Sequence, residues 1–145
     1  MTVTTTFLFL FLLFAVPPPT TLDQVKAEVN PERRARLAID FALATEKQAE
    51  ASYAKGDLDA TRPQLNLMAE SMELAKAAFK ASGRTPGRNP GPYKYAEQKS
   101  QELLTRLRDL DQRMDADERE AVVGPRAKVQ EIHDEWFEGI MERKK

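Results

Sequence analysis

From residue 93 to residue 114, the stretch YKYAEQKSQELLTRLRDLDQRM sets Tyr93, Ala96, Ser100, Leu103, Leu107, Leu110 and Met114 at alternating steps of three and four. That is the a/d spacing of a helix closing one apolar seam against a neighbour, as in a coiled coil. A half-buried strand needs alternation by two, and no stretch of the body shows the Val/Ile/Thr alternation of a sheet. Immediately before it, GRTPGRNPGP (residues 83–92) holds three glycines and three prolines and reads as the main loop.

Upstream of the loop, Leu58, Leu65, Met68, Met72, Ala75 and Phe79 form one apolar stripe. This predicts a helix opened by Asp57 and ending near Ala81, with a kink at Pro63 or a 3₁₀ opening turn before the regular helix. Further upstream, Asn30-Pro31 has the N-cap and first-position residues of a helix running to Lys55, with Gly56 beyond as its stop. Ala35, Leu37, Ala38, Phe41, Ala42, Ala49 and Tyr53 supply its small-residue face. Thr21 and Asp23 predict a short lead-in helix with Leu22, Val25 and Val29 on one side. Downstream, Asp115 with Glu118 has capping-box spacing for a last helix whose stripe is Val122, Val129, Ile132, Trp136 and Ile140. Gly124-Pro125 is expected to kink or split it.

Four helices of about 22–27 residues are each roughly 33–40 Å long. Near-equal lengths and one-sided stripes predict an all-α fold: an up-and-down four-helix bundle of two antiparallel helical hairpins. Residues 1–19 are set apart as a signal-like hydrophobic segment and proline stop, and residues 20–145 as the bundle domain. An internal duplication is one reading of the proline spacing, 31 to 63 and 92 to 125, although identities between the halves are poor.

No side-chain charge precedes Asp23, and residues 7–16 (FLFLFLLFAV) are an unbroken apolar run followed by Pro17, Pro18 and Pro19. Ten residues suit a signal-peptide core and fall short of the roughly 20 that span a bilayer as a helix. The basic flank of a signal is missing, and Leu13 is large for the −3 position of a cut after Ala15. The expectation is an extracytoplasmic protein, periplasmic or secreted, touching a membrane only through an uncleaved N-terminal segment.

Lys and Arg number 22 against 23 Asp and Glu, a net charge of −1. That balance argues against a general nucleic-acid binder, which needs a basic excess. The absence of cysteine removes disulfides, thiolate catalysis and zinc knuckles, and His133 is the only histidine. A di-iron bundle would need Glu at position 130, which is Gln130, and a second histidine. Asp109, Asp111, Asp115, Asp117 and Glu120 fall on calcium-loop positions, but Arg113 and Met114 occupy the places of a ligand and of the turn glycine. Residues 53–65 (YAKGDLDATRPQL) hold the turn residues of a tetratricopeptide repeat, with helices nearly twice too long and no second copy at that spacing. The Leu-Thr-x-x-Gln signature of small helical periplasmic stress chaperones is absent, since Arg106, Leu107 and Arg108 follow Leu104-Thr105.

Lys76, Lys80, Arg84, Arg88 and Lys94 surround the loop with no acid between residues 76 and 94. With Tyr93 and Tyr95 they could meet an acidic partner, or equally neutralise the acidic stretch 109–120 in the same molecule. Trp136 and Phe137 are adjacent on a helix, so one is expected in the core and the other at its edge. The candidate partner contacts are therefore Arg84, Arg88, Tyr93, Lys94, Tyr95, Trp136 and Phe137. No catalytic, cofactor-binding or metal-ligating residue is assigned and no cofactor is expected. The function expected is that of an exported, non-enzymatic helical-bundle protein serving as a protein-interaction or envelope-associated module. Its partner would be an unknown protein or the envelope surface, with no nucleic acid, and a homodimer through shared seams is the alternative assembly. Two other readings stand: a tetratricopeptide-like adaptor or periplasmic chaperone with an exposed groove, and a metal-dependent enzyme using carboxylates.

Overall fold

A computed structural model of the chain describes residues 19–142, and these are all-α. The helices are α1 (Leu22–Lys26), α2 (Pro31–Ala54), α3 (Leu58–Ala81), α4 (Pro90–Arg113) and α5 (Glu120–Glu142). The N-terminal apolar run lies outside the described residues.

Local chemistry sets most of the boundaries. Asn30 accepts from the Arg33 N–H at 3.0 Å, and Pro31 occupies a first-turn position whose amide has no intrahelical partner. At the far end of α2, Gly56 takes φ +76°, its N–H donating to the Tyr53 carbonyl while the Asp57 N–H donates to that of Ser52. This paired pattern closes the helix and needs a left-handed residue, which glycine adopts without a Cβ clash. Asp57 then caps α3 by accepting from the Ala60 N–H at 3.0 Å. Thr21 and Gln24 form a reciprocal capping box on α1.

Several boundaries differ from expectation. α4 opens inside the predicted loop, at Pro90, because prolines 90 and 92 sit in its first turn and sacrifice only unpaired amides. Pro63 and Pro125 split neither α3 nor α5. Each is the sixth residue of its helix, so a single backbone bond is forgone near a terminus. The Asp115 N–H does donate to the Glu118 carboxylate at 3.2 Å, but Glu118 also accepts from the Tyr53 hydroxyl at 2.7 Å, and α5 begins only at Glu120. Val29 is 88% exposed, since α1 has already ended at Lys26.

The packing pairs are α2 with α3, α4 with α5, α3 with α5 and α2 with α4, while α1 lies on α2. Along α2 and α4, Asp40 meets Tyr95, Glu46 meets Arg106 and Tyr53 meets Arg113. Along α3 and α5, Glu73 meets Lys128, Lys76 meets Glu135 and Phe79 meets Trp136. Both series ascend together, so each of these pairs runs parallel. All seven seam residues from Tyr93 to Met114 are buried, six of them within α4 and Met114 just past its end, and so are Leu65, Met68, Met72, Ala75 and Phe79 of α3. Burying such side chains contributes about 1.5–3 kcal/mol each for the larger ones, which is what holds these helices together. Leu65, Met72, Leu103, Leu107 and Ile132 share a single core. A concave adaptor would hold some of them open in a groove, so that reading is dropped.

The expectation of membrane contact through an uncleaved N-terminal segment is corrected. Among the described residues no helix is long and apolar enough to cross a membrane.

Candidate functional site

The loop 82–89 between α3 and α4 is fixed from below by aromatic side chains. Phe79 stacks on Tyr93 (centroids 4.6 Å apart) and meets Trp136 edge-on at 5.7 Å. Both geometries suit the ring quadrupole and add to area burial. The Tyr93 hydroxyl donates to the Arg84 carbonyl at 2.8 Å, tying the loop to the first turn of α4. Pro86 packs on Gly139 of α5 so closely that a Cβ built there would lie 2.7 Å from the proline ring.

Two clefts flank this cluster. One, of about 510 Å³, lies between α3, the loop and α5, with Lys76, Lys80, Arg84, Pro86, Trp136 and Gly139 among its walls. The other, of about 430 Å³, lies between the first turns of α2 and α4, lined by Arg33, Arg36, Gly91, Pro92 and Tyr95. Phe79 belongs to both.

The residues singled out by sequence separate into two groups. Tyr93 and Trp136 are buried, at 5% and 3% exposure, and form walls. Arg84, Arg88 and Lys94 are exposed, while Tyr95 is half-buried. Phe137 is 46% exposed and lies along His133, with ring centroids 6.1 Å apart. Trp136 is thus the core member of the aromatic pair and Phe137 its edge.

The basic cluster is only partly neutralised, and not by the acidic stretch 109–120. Arg84 pairs with Glu32 at 2.5 Å and Lys76 with Glu135 at 2.6 Å. Among the described residues no carboxylate comes within 4 Å of Lys80, Arg88 or Lys94. The acidic stretch sits at the opposite end, where Asp111 pairs with Arg126 at 3.3 Å and Met114 is buried. Among the described residues no group of three or more His, Cys, Asp or Glu could hold a metal ion.

The tyrosines are not bases. Burial raises the Tyr93 phenol and Glu135 adds to it. Burial, then the hydrogen bond to Asp40, pushes Tyr95 up to about 12. Both therefore stay protonated and serve as hydrogen-bond donors. His133, 8% exposed, lies 3.2 Å from Glu97 and 3.3 Å from Asp134, held between α4 and its own helix.

Sequence inspection missed three side chains of interest. Arg33 and Arg36 gain meaning only from the cleft. Glu46 is fully buried on α2, its Oε1 has no hydrogen-bond partner, and its Oε2 lies 3.5 Å from Arg106. Burial first, and the neighbouring Glu50 second, push its carboxyl up to about 8. Its position midway between Ala42 and Ala49, in step with the apolar stripe, was the available signal. Glu46 lines neither cleft.

No known protein family, curated protein or solved structure matches the chain.

Proposed function

We propose that this is an exported, non-enzymatic helical protein that acts by binding an acidic protein partner at its loop end. The observation that carries the reading is the set of exposed cations, Lys80, Arg88 and Lys94, left without a carboxylate around a loop braced by Phe79, Tyr93 and Trp136. A braced loop loses little backbone freedom on binding, and the charges on and beside it steer an oppositely charged surface. We read the helices as two antiparallel hairpins, α2–α3 and α4–α5, laid face to face with like helices parallel. Three parallels support this. Asn30-Pro31 and Asn89-Pro90 open helices of 24 residues each. Buried positions 35, 38, 42, 45, 46 and 49 of α2 are echoed by 93, 96, 100, 103, 104 and 107 of α4. Pro63 and Pro125 hold the same place in α3 and α5.

A photoreactive group at position 85, exposed on the same loop and outside the set of cations, is expected to give one discrete protein adduct when the full chain is expressed in its host. That adduct should be lost at high salt and in the Lys80→Ala/Arg88→Ala/Lys94→Ala variant. No adduct, or the same adduct from a group at position 57 at the opposite end, would sink the proposal. Intact mass of the protein recovered outside the cytoplasm tests export. A full-length mass confined to the cytoplasm would count against it.

A further inference from the structure

We infer that the cleft between the first turns of α2 and α4 is a binding site for a small carboxylate with an apolar body, gripped by Arg33 and Arg36. The argument is independent of the partner surface above, because neither arginine belongs to that set.

A volume of about 430 Å³ suits a small molecule. Arg33 and Arg36 lie one turn apart on one side of α2, and both line the cleft. The Arg36 guanidinium rests 4.3 Å over the Tyr95 ring, and the Tyr95 hydroxyl is anchored on Asp40. Arg36 is thus held in place by an aromatic face rather than by an acid. Among the described residues no carboxylate lies within 4 Å of it. Arg33 has only Glu28, at a loose 3.9 Å. The acid in the cleft wall, Glu32, is already engaged by Arg84 at 2.5 Å. Two planar, lightly opposed guanidiniums are the donors that a carboxylate matches in paired geometry. Phe79, Pro92 and the Tyr95 ring supply the apolar wall for the rest of the ligand.

Phosphate fits less well. A phosphate cradle relies on free amides at a helix start. Here Pro31, Pro90 and Pro92 have none, and the Arg33 amide is taken by Asn30.

The test is a ¹H–¹⁵N titration of the full chain with phenylacetate, with phenylacetamide as the neutral analogue and inorganic phosphate as the third arm. Phenylacetate should shift Arg33, Arg36, Gly91 and Tyr95 saturably, with a dissociation constant of about 1 mM or tighter, as expected for about ten non-hydrogen atoms. The amide should bind at least about tenfold more weakly, and Arg36→Gln should weaken phenylacetate by about tenfold. Arg33→Gln, at an exposed position, should weaken it too while keeping native dispersion, and it alone carries the test if Arg36→Gln disturbs the fold. Equal binding of acid and amide, unchanged affinity in folded Arg33→Gln, no saturable shift, or tighter binding of phosphate would each overturn the proposal.

Discussion

Replacing Glu46 by glutamine should make the protein more stable at pH 8 and nearly unchanged at pH 5. The wild-type carboxyl is fully buried and raised from 4.5 to about 8. The fold therefore keeps a proton that the unfolded chain releases above pH 4.5. This contribution is fully present below that pH and is lost as pH rises toward 8, at about 1.4 kcal/mol per pH unit. Across the whole window the loss is at most about 5 kcal/mol, a large share of the stability of an ordinary domain. A glutamine side chain has a similar shape and cannot ionise, so the Glu46→Gln variant should lack this slope. Arg106 keeps Glu102 at 2.5 Å and is not left alone by the change. The assay is urea unfolding at pH 5, 6.5 and 8, followed by the fluorescence of Trp136, the sole tryptophan and 3% exposed. Parallel decline of wild type and variant between pH 5 and 8 would refute the reasoning. So would equal destabilisation of the variant at every pH, which would mean that Glu46 matters for its shape and not for its proton.

Three further outcomes are expected. Leu107→Ala empties a fully buried seam position of α4 and should cost about 3 kcal/mol in urea unfolding, whereas a cost below about 1 would mean the seam is loose. Gly56→Ala places a Cβ at φ +76° and should cost about 1 kcal/mol, read as a lowered Tm without loss of helix signal. Gly139→Ala should forfeit the roughly 1 kcal/mol that alanine normally gains within a helix, because its Cβ meets Pro86. Adding Pro86→Ala should restore that gain, and additivity of the two substitutions in a double-mutant cycle would refute the contact.

The fold was legible wherever side-chain periodicity alone decides burial. The seam from Tyr93 to Met114 and the α3 stripe from Leu65 to Phe79 are buried as the spacing predicts, because an amphipathic helix has one apolar side to hide, while Leu58 at the start of that stripe is only half-buried. Boundaries were less legible. Proline reads as a breaker, yet at 90, 92, 63 and 125 it sits where a helix forgoes little, and position within the helix emerges only once its start is known. The site was half legible. The charge of the loop is written in Lys80, Arg84, Arg88 and Lys94, but the burial of Tyr93 and Trp136 depends on Phe79, which comes from another helix. Arg33 and Arg36 were invisible as a pair facing Tyr95, since that juxtaposition joins residues about 60 positions apart through packing and not through local pattern. Glu46 breaks the rule that a stripe is apolar, and only the third dimension supplies Arg106 beside it.

Phe79 is a partition: one ring, 2% exposed, with a cleft on either side. A single substitution there, Phe79→Ala, therefore takes wall from both compartments at once and removes the support of the Tyr93 and Trp136 rings with it.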